Sequence, residues 1–382
     1  MKAGGNMLGI QTGNFDYLHF SDLHLTTKVN SDTELARKRL VEFLKNKTSA
    51  GDLPCDYIFI TGDIAYKNDY SGAKAFIEKI FESLKWNQNK YNQVFWAVGN
   101  HDISRKNMLR EIIISHIRGT ENAEKRFEEC MRDPRVRSEL FMGDMSDYYK
   151  WHEESHLYDH SNLVDITDHK LHKLPNLNLI TLNTCLTSCD DNDNHNLHIV
   201  ETKLFDVFEN IDINNPTFVM GHHGKGFFTD ETQHKLGHLF GSKNVDLYLC
   251  GHSHRPGYDA FLQTKEDVHQ ITSGGGVIDG YSVLSFMHGH YDREEATLTV
   301  TPYSYADRGN RDWSFDGALH ARLDGLTPLQ LRRIDNVSKS KNKTKVSLTG
   351  DSGLVQADSK TRSASFFTSA APILKKERSK HE

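Results

Sequence analysis

Five short apolar runs in this chain each stop at a polar cluster of the same kind. Residues 15–20 lead into Ser21-Asp22-Leu23-His24, 56–60 into Thr61-Gly62-Asp63, and 94–98 into Gly99-Asn100-His101-Asp102. Residues 217–220 lead into Gly221-His222-His223-Gly224, and 245–250 into Gly251-His252-Ser253-His254. Runs of this length and character read as buried strands. Between the early ones, residues 31–47 and 71–86 place apolar side chains at helical spacing. Strand–helix–strand alternation predicts an α/β layered fold. Further runs at 178–183, 269–272 and 281–287 follow with few helices between them, so a partly antiparallel sheet or a second stacked sheet is expected. In open α/β sheets ligands sit beyond the carboxyl ends of the strands, where all five clusters fall.

The residue types say what ligand to expect. In extended backbone, residues i and i+2 share a face. On that reasoning Asp22 and His24 point together, and His252 and His254 likewise. Two Asp, one Asn and four His make a donor set for borderline divalent ions such as Mn, Fe, Zn or Co. Seven ligands are too many for one ion and suit two that share a carboxylate. Asp63, which arrives singly, is the natural bridge.

Composition narrows the class. Of 382 residues, 37% are apolar, enough for a sizeable core, and 22 are histidine. No apolar stretch is long enough for a membrane helix. The first residues lack the apolar core of a signal peptide, and five scattered cysteines give no disulfide framework. A reducing, cytoplasmic setting is expected. Residues 331–382 hold 12 Lys/Arg and 5 Asp/Glu, against 34 and 47 in the preceding 330. A body this acidic lacks the footprint of a dedicated duplex-DNA binder. The basic tail reads as linker, with docking of a partner or a further domain as the sharper alternative.

FSDLHL, TGD, GNHD, GHH and GHSH, in this order, resemble the signature of the calcineurin-like metallophosphoesterase superfamily. The likeness covers roughly residues 15–290 and is closest in flavour to the cyclic-nucleotide and glycerophosphodiester branch. It implies a four-layer α/β/β/α sandwich. It implies one metal held by Asp22, His24 and His254, a second by Asn100, His222 and His252, and Asp63 between them. It also implies His101 as general acid, with Asp102 orienting its ring. Asn100 would also touch substrate. Where the family often has His-His-Pro this chain has GHHGKG, so His222 is expected as the ligand and His223 as a supporting or substrate-binding residue. Expected boundaries are an N-terminal extension over 1–14, a catalytic domain over 15–310 with a helical insertion over 104–175, and a C-terminal extension over 311–382.

Three further motifs have plain readings. His152-Glu153-Glu154-Ser155-His156 matches a zinc-protease pattern. Position 162, however, is Asn, so no third ligand follows. A solvated or lid-facing stripe of His152, His156 and His160 is expected instead. Ser273-Gly274-Gly275-Gly276 reads as a tight turn near the metals rather than a phosphate loop. Residues 190–195, DDNDNH, read as a solvated loop.

The expected activity is therefore hydrolysis of a phosphodiester, of nucleotide type or another, by hydroxide generated at two divalent metal ions, manganese first among them. A repair-exonuclease-like nuclease is the alternative enzyme. A scaffold that keeps the fold without catalysis is the alternative of another class.

Overall fold

A computed structural model describes residues 13–104, 107–157, 169–190, 193–261, 268–323 and 327–332. The expected tail beyond 332, most of the 1–14 extension, and His160, Asp191 and Asn192 lie outside them.

Period-two alternation sorts the strand side chains into separate cores. On β1 (Phe15–Phe20), β2 (Tyr57–Thr61) and β3 (Val94–Ala97), Phe15, Tyr17, Tyr57, Phe59 and Phe95 enter one core. Leu18, Phe20, Ile58, Ile60, Val94 and Trp96 enter another. The second core is shared with α1 (Ser31–Ala50) and α2 (Ala73–Ser83), through Leu40, Leu44, Ile77 and Phe81. These three strands are parallel and adjacent.

The middle of the chain builds the matching half. The helical insertion comes first, with α3 (Met108–Arg118), α4 (Ala123–Arg132), a single turn α5 (Pro134–Val136) and α6 (Ser146–Ser155). Its tail is not helical: β4 (Lys170–Lys173) pairs antiparallel with β5 (Asn178–Thr181). Parallel strands β6 (Thr217–Met220) and β7 (Leu247–Cys250) follow, β6 reached through α7 (Glu201–Phe208) and β7 through α8 (Asp230–Ser242). An antiparallel pair, β8 (Gly257–Phe261) and β9 (Val268–Thr272), completes a sheet of order β4-β5-β6-β7-β9-β8. Leu179, Phe218, Met220, Leu247 and Leu249 face the core that holds Phe15 and Phe59. Ile180, Val219 and Tyr248 turn the other way, onto Leu204 and Phe240 of α7 and α8.

Two sheets therefore face each other across one core, and each carries helices on its outer face. The layers are α/β/β/α, as expected. The first sheet continues antiparallel beyond β1 through β10 (Ser285–Asp292), β11 (Thr297–Tyr305) and β12 (Trp313–Phe315). After α9 (Gly317–Leu323), β13 (Leu329–Gln330) also pairs with β11. The run expected at 281–287 enters its strand late. Asp279 Oδ1 accepts the backbone N–H groups of Tyr281 and Ser282 and holds them in a turn, so β10 begins at Ser285. Parallel order in both sheets brings the carboxyl ends of β1, β2, β3, β6 and β7 to one edge.

Candidate metal centre

Five residues at that edge, Asp22, His24, Asp63, His252 and His254, hold φ between 44° and 67°. Left-handed backbone is uncommon outside glycine, and such strain gathers at functional sites. It also corrects an expectation. The polar clusters are not extended, so i and i+2 need not share a direction. Asp22 and His24 do converge. His252 and His254 part, each joining a different group.

The first group contains Asp22, His24, Asp63 and His254, with one donor atom from each lying within 4.8 Å of the others. His24 Nε2 lies 3.0 Å from His254 Nε2 and 3.7 Å from Asp63 Oδ2. Asp22 Oδ1 lies 3.3 Å from His254 Nε2. The second group forms around His222 Nε2, which is 3.1 Å from Asn100 Oδ1, 3.2 Å from His252 Nδ1 and 3.4 Å from Asp63 Oδ2. Asp63 Oδ2 thus stands between the two groups, buried with no hydrogen-bond donor.

The supporting contacts aim these atoms. His222 uses Nδ1 on the carbonyl of Thr61 at 2.8 Å, which leaves Nε2 for the cluster. His254 uses Nδ1 on Ser282 Oγ at 2.9 Å, and that hydroxyl reaches Asp279 Oδ2. Such outer contacts orient metal-binding histidines. Close approach depends on glycine at two points. A Cβ on Gly99 would lie 2.0 Å from Asp63 N, and one on Gly251 1.7 Å from Ser21 Oγ. Without the second, Asp22 Oδ2 would not accept the N–H of His252 at 2.9 Å.

Charge at the cluster is divided unevenly. Burial pushes His24 down to about 4 and His252 to about 3, so both are neutral with lone pairs available. Burial would strip His222 too, but Asp63 and Asp22 outweigh it and lift His222 to about 9. Burial opposes ionisation of Asp63; His222 and His24 overcome it and hold the carboxylate well below its usual range. Acceptors that face one another at 3.0–3.7 Å, with an orphaned carboxylate oxygen in their midst, fit divalent cations.

The remaining expected residues sit around this cluster. The N–H of His101 donates to Asp63 Oδ1 at 2.7 Å. Its ring lies edge-on to His24, with centroids 4.8 Å apart, and nearly parallel to Tyr66 at 5.3 Å. Asp102 is fully buried, and its carboxylate accepts from the N–H groups of Gly99, Ile64 and Ala65 and from the Tyr70 hydroxyl. It ties together the turns that carry Asp63 and His101. Burial, helped by Asp63, pushes its proton affinity up. His223, expected to support a ligand or meet substrate, is fully buried: Nδ1 is 3.0 Å from Thr184 Oγ1, and its ring centre is 4.3 Å from that of His252.

Sequence reasoning missed what lies behind His223. Asp193, in the stretch read as a solvated loop, is buried. Its carboxylate accepts from Arg118 Nη2 at 2.8 Å and Ser188 Oγ at 2.5 Å, and lies 3.7 Å from His223 Nε2. Arg118 and the buried Arg110 both project from α3 and donate to backbone carbonyls at Thr187, Cys185, Leu186 and Ser188. The insertion is therefore pinned to the loop that backs the second ligand group. The 152–156 motif also reads differently. His152 is fully buried among Trp96, Trp151 and Tyr148, not solvated, and His156 caps α6 in left-handed backbone. The glycines at 274–276 run alongside the site instead of closing a turn: Gly275 bridges Leu284, and the N–H of Gly276 donates to the Asp22 carbonyl.

The family model described as calcineurin-like phosphoesterase matches residues 15–256. The chain belongs to that family of metal-dependent phosphoric ester hydrolases. A relative in Bacillus subtilis (strain 168), an uncharacterized metallophosphoesterase-like protein YydB, is 25% identical over 338 residues, 84% of this chain and 67% of that one. Among solved structures, purple acid phosphatase PPD1 from yellow lupin aligns over 76% of this chain at 11% identity, TM-score 0.43. This chain spans 51% of that phosphatase. TT1561 of Thermus thermophilus aligns over 75% of this chain and 97% of its own at 12% identity, TM-score 0.37. Among the described residues no helix is long and apolar enough to cross a membrane.

Proposed function

We propose that this chain is a binuclear phosphodiesterase of the cytoplasm, with manganese as its first-choice metal. One observation carries the binuclear reading: the buried Asp63 Oδ2 lies 3.4 Å from His222 Nε2 and 3.7 Å from His24 Nε2, shared between two ligand groups. Asp22, His24 and His254 would hold one ion, and Asn100, His222 and His252 the other. Bound there, two ions supply a clamp for phosphoryl oxygens and acidify water toward neutral pH.

The protein's own groups do the rest. His101, anchored through its backbone to Asp63, hands a proton to the leaving oxygen as the phosphorus–oxygen bond breaks and the water oxygen bonds to phosphorus. Asp102 fixes the turn that presents His101. His223 and Asp193 steady His252 from behind. A proton donor matters most when the leaving group is a poor one, as the alkoxide of an unactivated diester is.

The test is a substrate panel with Mn²⁺: bis(4-nitrophenyl) phosphate, 4-nitrophenyl phosphate, cyclic nucleotides, and single- and double-stranded DNA. Diester turnover leading the panel supports the proposal, whereas DNA cleavage outrunning the small diesters would make this a nuclease. His101→Ala should cost about 10²–10⁴-fold in kcat on unactivated diesters. Unchanged biological activity in Asp63→Ala would instead point to a scaffold.

A further inference from the structure

Beside the first ligand group the surface opens into a cleft of about 260 Å³. Its floor is His24, His101 and His254, the metal side of the site and the proposed acid. Its walls come from three segments far apart in sequence: residues 26–30 after β1, Tyr66 after β2, and residues 277–279 before β10.

The walls have a distinct chemistry. Val29, Val277 and Ile278 line them with half-buried aliphatic surface, and Tyr66 is 43% exposed. Three of the polar side chains among them, Thr26, Asn30 and Asp279, are already committed to the protein. Thr26 Oγ1 donates to Asp69 at 2.7 Å. Asn30 accepts the N–H of Thr33 and donates to the carbonyl of Ile278. Asp279 accepts from the backbone of Tyr281 and Ser282 and from the Ser282 hydroxyl. Lys28 brings an ammonium to the rim.

A group bound here is therefore recognised chiefly by apolar contact and shape, with the Tyr66 hydroxyl and the Lys28 ammonium as the polar groups left to meet its edge. The volume is near the lower end for small-molecule pockets, enough for one ring system and not for a duplex. Buried ring surface of that kind strengthens binding in proportion to the area covered, and apolar pockets discriminate by contact area.

We propose that this cleft holds the leaving group of the substrate, and that the preferred leaving group carries a planar ring, as in an aryl or nucleoside ester. The inference rests on the phosphodiesterase reading above. His101 on the floor is placed to protonate the departing oxygen while the ring lies against Val29, Ile278 and Tyr66. With few edge contacts to offer, the site should accept different bases about equally.

The test uses three diesters that share a methyl phosphoryl part and differ in the leaving alcohol: ethanol, phenol and a nucleoside 5′-hydroxyl. Ile278→Ser removes wall surface, while the backbone of Ile278 keeps its bonds to Thr33 and Asn30. A melting curve checks that the variant is folded, and Tyr281→Ala, outside the cleft, is the control. The variant should lose about tenfold in kcat/KM on the phenyl and nucleoside esters and less than about twofold on the ethyl ester. Loss on the nucleoside ester alone supports the cleft and assigns it to nucleosides; loss on both ring esters assigns it to planar rings at large. Equal loss on all three, or none, overturns the inference. Failure of the wild-type protein with Mn²⁺ to hydrolyse any of the three would instead overturn the phosphodiesterase reading.

Discussion

The ion network behind His223 makes a quantitative prediction about Asp193. Its carboxylate is 2% exposed and shares Arg118, itself mostly buried, with Asp190. Removing one member of a buried pair leaves a charge without compensation, typically about 3–5 kcal/mol. Here the low end applies, because Arg118 retains the Thr187 carbonyl and Asp190. Asp193→Asn should therefore cost about 3 kcal/mol. Asp190, 48% exposed at its side chain, makes a pair with the same guanidinium that solvent screens. Asp190→Asn should cost less than about 1 kcal/mol. Urea titration followed by tryptophan fluorescence separates the two, since Trp96 and Trp151 both pack in the core that the insertion helps to close. A second readout tests the path toward the site: with His223 loosened, affinity for the ion at His222 and His252 should fall about 10–100-fold by calorimetric titration. Equal destabilisation by the two substitutions, or an Asp193→Asn protein as stable as the parent, would refute the argument.

Three other outcomes follow from the geometry. Asp63→Asn should remove both ions at once, because its Oδ2 serves both ligand groups; elemental analysis of the purified variant checks this, and retention of one full equivalent would contradict it. Gly99→Ala should abolish metal uptake and lower the melting temperature, since the new methyl would sit 2.0 Å from Asp63 N and 2.1 Å from Asp63 Oδ1. His152 is one of several buried histidines, with His19, His169 and His172, that make stability depend on pH. Burial pushes its folded-state value down to about 3 from the usual 6.5, so between those values the unfolded chain binds the extra proton and stability falls as pH falls. By about pH 5 the linkage amounts to about 2 kcal/mol, and His152→Phe should flatten the acid side of the stability curve by that amount.

How far the sequence foretells this structure varies with the range of the interactions involved. Strand positions were legible because buried strands are short continuous apolar runs, and their assembly into facing sheets followed from alternation. The antiparallel strands β8, β11, β12 and β13 were not legible. Residues such as Tyr258, Thr297, Thr299, Thr301 and Ser304 mix polar and apolar character, and only pairing with β9 or β10 makes strands of them. That the polar clusters would gather at one edge was legible, but the directions of their side chains were not. A local rule for extended chain sends His252 and His254 the same way, whereas the tertiary contacts hold both in left-handed backbone and divide them between two groups.

The outer layer was the least legible. Asp193 lies in a run of Asp and Asn that any local reading assigns to solvent, and nothing nearby announces Arg118, which arrives from a helix 75 residues earlier. His152 escapes a local reading for the same reason in reverse: a charged neighbourhood in sequence, Glu153 and Glu154, follows a side chain that the fold packs against two tryptophans. A ligand carries its chemistry in its own side chain, so a pattern of residue types can reveal it. A supporting residue carries its role in a partner brought by the fold, and that role becomes visible only when the partner is in place.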